Sequence, residues 1–419
     1  MTDASPAGWA GKLSLLPGSL ALEWALLLAL AALAGHLVQR TTKLPKIIGH
    51  AAVGAVAGWL GLAGAAWPLE GVGLFLLEMG IAVVLFECGA RLSLRWLRHN
   101  PMVLAQSLAE SVLTFAAVYL SLRALGLEVP VVRALSVIAV AASPAVLMRV
   151  MLDLRANGPV TDRALALATL NTLYALTIGT ALLRTIDRGE GTMLASVGSS
   201  VAVLGISLLC GAVLAGLLIA ALRVLNPTSQ DTAIVVLALL AVCAGVTTPL
   251  GGSAPLAALL GGILLKRLYP RPWVWPRQLG TAAAMLNILM FVLVSSAAAR
   301  AGWSGAVLWA ALALVGARLL AKAACIAATG VGTGMALKKS CWVGIAMVPM
   351  SAVALLLTSQ FVAASHTVGA RVAAIALPVI LVTELLGAAL ATVAFRRSGE
   401  AAPPTRSTRI PSFGEDTRP

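Results

Sequence analysis

Charge is scarce in this chain, and acidic charge is scarcest: 11% of the 419 residues are charged, with 16 Asp and Glu against 30 Lys and Arg. With 60% hydrophobic residues beside so few charges, a soluble domain of this length is excluded. The formal net charge of +14 does not indicate nucleic acid, because the basic residues cluster in short loops between apolar runs, as membrane orientation signals do. The five cysteines (Cys88, Cys210, Cys243, Cys325, Cys341) occur singly, without CxxC or CxxH spacing, which excludes a disulfide frame and leaves no metal centre in view. Four histidines (His36, His50, His99, His366) are scattered and form no cluster. GVGTG at 330–334, followed by Lys338 and Lys339, lacks the spacing of a phosphate loop and reads as a flexible inner loop. No nucleophile, base and orienting group occur together, so neither an enzyme nor a cofactor is expected. The first 20 residues lack a basic stretch before an apolar core, and no cleaved signal peptide is expected.

What the chain has instead is long apolar runs. Runs of about 20 residues suffice to cross the hydrocarbon of a bilayer, and thirteen are expected. They lie near 19–38, 47–66, 69–90, 102–121, 132–152, 164–183, 193–222, 231–248, 253–266, 279–299, 304–328, 336–361 and 370–395, the ninth being short. With the N-terminus outside, the inner segments carry 21 Lys and Arg and the outer segments 7, an excess that sets the C-terminus inside. Trp273 and Trp275 beside Arg271 and Arg277 read as interfacial anchors. The segment 1–18 is then extracytoplasmic, and the Pro-, Ser-, Thr- and Arg-rich tail 396–419 is expected to be disordered and cytoplasmic.

Two of the runs are interrupted. Pro144, after Ser143, breaks the fifth span halfway, and Pro349 with Ser351 breaks the twelfth, 205 positions later. Proline removes a backbone donor where no water can replace it, so each break leaves loose backbone groups near the bilayer midplane. LPKIIGHAAVGAVAG (44–58) also has a counterpart in TPLGGSAPLAALLGGILL (248–265). The chain therefore reads as two six-helix repeats, about 19–183 and 231–395, joined by a linker helix at about 193–222. Seven crossings between equivalent positions turn the second repeat upside down. Two equivalent broken helices in inverted repeats mark the transport site of a secondary carrier.

Several segments resemble the monovalent cation:proton antiporters of the Kef and sodium/proton exchanger type. They are LPKIIGHAAVGAVAGWLGL, FLLEMGIAVVLFECGARLSLRWLR, SPAVLMRVMLDLRANGPVTDRALALATLNTLYAL, GARLLAKAACIAATG, IAMVPMSAVALLL and LPVILVTELLGAAL, in order over about 20–395. The resemblance implies an all-α polytopic membrane protein of about 13 transmembrane helices, with two crossed broken helices in a core domain that moves against a dimerisation domain. It implies homodimers in an inner membrane, exchanging a monovalent cation for protons. The sequence departs from the family at one position that matters. Span six of the family carries an Asp, after Asp, Asn or Gln, at which proton and cation compete, and here Asn171 and Thr172 stand there. Neither side chain ionises; their oxygens either coordinate a cation, with Ser143 and Ser351, or bond the loose ends of the broken helices, or simply bridge helices.

Arg318 matches the family's basic residue in span eleven, whose role is to neutralise the facing half-helix dipoles, and Lys322, one turn on, reads as snorkelling to the inner interface. Without the span-six Asp, Arg318 needs another anionic or dipolar partner. Glu110, near the centre of span four, is either a relocated proton carrier, or that partner, or a structural protonated acid. Glu78 matches an acid of the family that looks structural, and Glu384 lies inside span thirteen. Glu87, four before Arg91, and Asp153, beside Arg149 and Arg155, read as boundary ion pairs. Besides the cation:proton antiporter, two readings stay open: a carrier of another ion or an anion without proton coupling, and a non-transporting membrane sensor or scaffold.

Overall fold

The computed structural model describes residues 19–42, 44–61, 71–92, 94–187, 193–227, 229–269, 277–300, 302, 304–350 and 352–401. The segment 1–18, Trp273, Trp275, Ser351 and the tail beyond 401 lie outside them. In chain order the helices are α1 Ser19–Thr42, α2 Lys46–Trp59, α3 Gly71–Arg91, α4 Leu94–His99, α5 Pro101–Ala124, α6 Val129–Val140, α7 Pro144–Leu154 and α8 Pro159–Asp187. They continue with α9 Met193–Val224, α10 Gln230–Thr247, α11 Ala254–Leu268, α12 Arg277–Ala299, α13 Gly305–Gly330, α14 Leu337–Ala346, α15 Ala352–Ala364 and α16 His366–Arg397. No strand occurs among the described residues.

Nine spans among the described residues, with α6 and α7 taken together, are long and apolar enough to cross a membrane. The other apolar stretches are shorter: α2 and α11 have 14 and 15 residues, and Ala284–Ala299 and Ala352–Ala364 carry the apolar parts of α12 and α15. At 1.5 Å per residue α2 is about 21 Å long, less than a hydrocarbon core of about 30 Å.

Packing follows the internal repeat. α2 lies against α12 while α11 lies against α3, and α5 lies against α13, so these helices of one repeat meet the helix at the equivalent or neighbouring place of the other. Glycine permits the tightest approaches. A β-carbon at Gly262 would stand 2.2 Å from the Phe86 carbonyl oxygen, and one at Gly58 the same distance from that of Ser296.

Both interruptions are real gaps in helix. α6 stops at Val140, Ala141 and Ala142 are non-helical, and extended Ser143 accepts the Val146 N–H at 3.3 Å as the cap of α7, with Pro144 in the first turn. That position suits proline, whose missing donor has no intrahelical partner there. α14 stops at Ala346 and α15 starts at Ala352. The two gaps touch: the Ser143 N–H donates to the Pro349 carbonyl at 2.9 Å.

Residues 396–401, expected to belong to a disordered tail, are placed against the helices. α16 continues to Arg397, and residues 398–401 fold back on α8. The Glu400 carboxylate accepts the Val160 and Thr161 N–H groups and the Thr161 hydroxyl, each at 2.8 Å, and so caps the N-terminus of α8. GVGTG is likewise more ordered than expected: Val331–Thr333 form a 3-10 turn, and Thr333 accepts a hydrogen bond from the Arg163 guanidinium.

Candidate functional site

Helix α5 presents a polar stripe to the interior. Gln106, Ser107, Glu110, Ser111 and Thr114 recur at three- and four-residue spacing and are all buried. Opposite them α13 presents Arg318 and Lys322, one turn apart and hence on one face, at 0% and 1% exposure. α8 contributes Asn171 and Thr172, both 0% exposed. These three helices and the two gaps enclose the site.

Arg318 is held entirely by backbone carbonyls. Its Nε donates to Ala139 O at 2.9 Å, one terminal nitrogen to Ala141 O at 2.9 Å and Met347 O at 3.4 Å, and the other to Val348 O at 2.6 Å. These oxygens belong to the C-terminal ends of α6 and α14. Each helix end carries roughly half a negative charge, so two of them together offset about one guanidinium charge. The dipolar partner expected of Arg318 is thus present. Glu110 is not within ion-pair distance of Arg318 and serves another cation.

That cation is Lys322, which does not snorkel. Its ammonium lies 2.5 Å from Glu110 Oε1 and 3.3 Å from Val140 O, deep in the protein. The physical reason is the carboxylate across the interface. A buried charge pairs with its counter-ion when one lies within the length of the side chain. Glu110 further accepts the Thr114 hydroxyl at 3.1 Å and Asn171 Nδ2 at 2.5 Å. Asn171 Oδ1 in turn accepts the hydroxyls of Ser107 and Ser111 at 3.2 and 3.1 Å. Asn171 therefore orients the carboxylate, and its own oxygen is already supplied with two donors.

Thr172 stands beside the first gap, where its hydroxyl bonds the carbonyls of Ala142 and Ala168, both at 2.8 Å. Ser143 lies across the gap with its oxygen capping α7, and Pro349 packs against Gly387 of α16. Thr383, also on α16, donates to Met350 O at 3.2 Å. The remaining acids sit apart from this network. Glu384 is buried against Ser295 at 3.2 Å, Glu78 is half-buried, Glu87 pairs with Arg91 at 2.8 Å, and Asp153 with Arg149 at 3.6 Å.

A cavity of about 1010 Å³ leads toward the site from the end of the bundle that carries Arg91, Arg163 and Lys266. Glu87 and Asp162 also line it, and it reaches Thr169, three residues and so about 4.5 Å of helix from Thr172. Among the described residues no group of three or more His, Cys, Asp or Glu side chains could hold a metal ion.

Sequence reasoning missed the second ion-pair partner and the stripe around it. The signal was present in the Gln-Ser-x-x-Glu-Ser-x-x-Thr spacing of α5, a polar face on an otherwise apolar span.

The fold that brings these helices together has counterparts among solved structures. The chain is similar to the solved structure of the sodium proton antiporter MjNhaP1 from Methanocaldococcus jannaschii at pH 8, with TM-score 0.68 and 16% identity over 89% of this chain and 97% of that one. It is similar also to the structure of that antiporter from an electron-microscopy map, with TM-score 0.67 and 16% identity over 90% of this chain and 98% of that one. At such identity the likeness is one of fold. No curated protein sequence matches the chain. The sequence profile of the sodium/hydrogen exchanger family, transmembrane region, matches residues 26–396. Since that match covers most of its length, the chain belongs to the sodium/hydrogen exchanger family.

Proposed function

We propose that this protein is a monovalent cation:proton antiporter in which Glu110 on α5 takes the place of the missing carboxylate on α8, with Lys322 as the group that gives up the proton. The observation that carries this reading is the buried pair itself, Lys322 Nζ 2.5 Å from Glu110 Oε1, beside the gap of the first broken helix. When a cation enters, the Lys322 ammonium releases one proton to the cavity and becomes a neutral amine, and the cation takes its place as counter-ion. Glu110 Oε1 and the Val140 carbonyl, which the ammonium leaves, are oxygen ligands already in position, as a hard monovalent cation requires. Asn171 and Thr114 keep the carboxylate aimed throughout. One cation replaces one proton, so the step is electroneutral.

Around this site we place thirteen crossings, the N-terminus outside and the C-terminus in the cytoplasm of a cell with this protein in its inner membrane. The threefold excess of basic residues on one side supports that orientation. The domain limits follow the repeat: 19–183, a linker helix at 193–222, and 231–395. The functional unit is a homodimer. The ion passes near Ser143, Thr172 and Ser351 as the core helices rock about the fixed gaps.

The test uses purified full-length protein in proteoliposomes with a pH dye inside and Na⁺, K⁺ or Li⁺ added outside. Cation entry should drive protons out and raise the internal pH, at an initial rate unchanged when the membrane potential is clamped at zero, since electroneutral exchange builds none of its own. Glu110→Gln and Lys322→Ala should each abolish the signal while the protein remains folded. Full proton movement in Glu110→Gln would remove Glu110 from the reaction. If no cation moves protons in the wild type, the antiporter reading fails, and tracer uptake then separates an uncoupled carrier from a silent sensor.

A further inference from the structure

A second cavity, of about 990 Å³, lies among α4, α5, α8, α9 and α11 and is not part of the ion site. Its walls are apolar, formed by Leu104, Leu170, Leu173, Leu208, Leu260 and Leu264. Its rim is basic: Arg95, Arg98 and His99 on α4, Lys266 and Arg267 at the end of α11. No acidic residue lines it. Among the described residues the four Arg and Lys of the rim have no carboxylate within ion-pair distance.

Leu104 and Leu208 are 39% and 45% exposed, so the cleft opens through leucines on the outer surface of the bundle, where lipid is the solvent. Trp96 of α4, 36% exposed beside Arg95 and Arg98, places this rim at headgroup level. We infer that the cleft binds one anionic phospholipid, its phosphate held by the rim cations and an acyl chain lying between the leucines. Both halves of the cleft fit that occupant. A zwitterionic lipid leaves the rim charges unmatched, and a free phosphate leaves the leucine walls empty.

The site bears on α8. At 100° per residue, Leu170 and Leu173 point away from Asn171 and Thr172, on the opposite side of the same helical turn. A lipid in the cleft therefore backs the turn that carries the ion-site residues. Lys266 lines both this cleft and the ion cavity, so a bound headgroup also sits at the edge of the ion path.

The inference depends only on the chain spanning a membrane, not on what it transports. It is tested on the purified full-length protein by thermal unfolding in detergent with dioleoylphosphatidylglycerol, dioleoylphosphatidylcholine or sodium phosphate added separately, and by native mass spectrometry. Phosphatidylglycerol should raise the midpoint by a few degrees and remain as one retained lipid per chain, while the other two additions should not. Arg98→Gln/Arg267→Gln should lose the effect. Leu208→Trp, a surface change that closes the mouth, should lose it as well. Lys338→Gln/Lys339→Gln, on α14 away from the cleft, should keep it. An equal shift with phosphatidylcholine or with phosphate alone overturns the proposal, as does an equal loss in the α14 double variant.

Discussion

Arg318 and Lys322 are one helical turn apart, yet they solve the same problem differently, and substitutions should tell them apart. Arg318 spends four hydrogen bonds on carbonyls of two helix ends. Arg318→Ala leaves those buried acceptors unpaired, at about 1–3 kcal/mol each in the worst case, and should yield little folded protein; Arg318→Lys, with three donors, should unfold at an intermediate temperature. Lys322 and Glu110 satisfy one another, so removing either leaves a bare buried charge at a cost of about 3–5 kcal/mol. The double variant Glu110→Gln/Lys322→Met should be more stable than either single variant, which thermal unfolding of the three proteins will decide. Thr172→Val keeps the shape but drops the bond to Ala142 O, and a loss of about 1 kcal/mol is expected, read in the same assay. Only its match to a family position drew attention to Arg318, whose partners are backbone carbonyls at the ends of α6 and α14. The pairing of Lys322 was not legible, because its partner lies 212 positions away and a lone lysine near a span end carries no sign of what faces it.

At the scale of elements, proline made both gaps visible, since it acts on its own backbone and needs no distant partner. The pairing of the gaps through Ser143 N–H and Pro349 O could not be read, because a backbone bond leaves no side-chain signature. The reciprocal packing of α2 on α12 and α11 on α3 rests on close contacts that tolerate no side chain. Gly262→Val should abolish stable folding, whereas Gly205→Ala on α9, with open space around it, should be neutral. Size-exclusion profiles of the two variants beside the wild type check this. The same polar periodicity that marks α5 as a site helix is diluted in α8, where Asn171 and Thr172 stand among leucines and alanines; only their resemblance to a family motif drew attention to them.

For the whole molecule, the order of apolar runs made the helical membrane fold readable, while the contacts of residues 398–401 were not. Glu400 follows two arginines in a stretch of tail-like composition, and the amides of Val160 and Thr161 that it caps are invisible in sequence. Glu400→Gln should cost about 0.5–2 kcal/mol, the range for a helix cap, and should expose the 155–158 turn to limited proteolysis. The buried cluster has a further, electrical consequence. Arg318, Lys322 and Glu110 together carry one net positive formal charge, and exchanging a proton for a cation leaves that number unchanged. An elementary charge moved fully across 100 mV changes energy by about 2.3 kcal/mol. A voltage negative inside therefore draws the proton-bound and the cation-bound core inward alike. It sets how long the core dwells facing each side, and so the speed of turnover, while the cation and proton gradients alone set where exchange comes to rest.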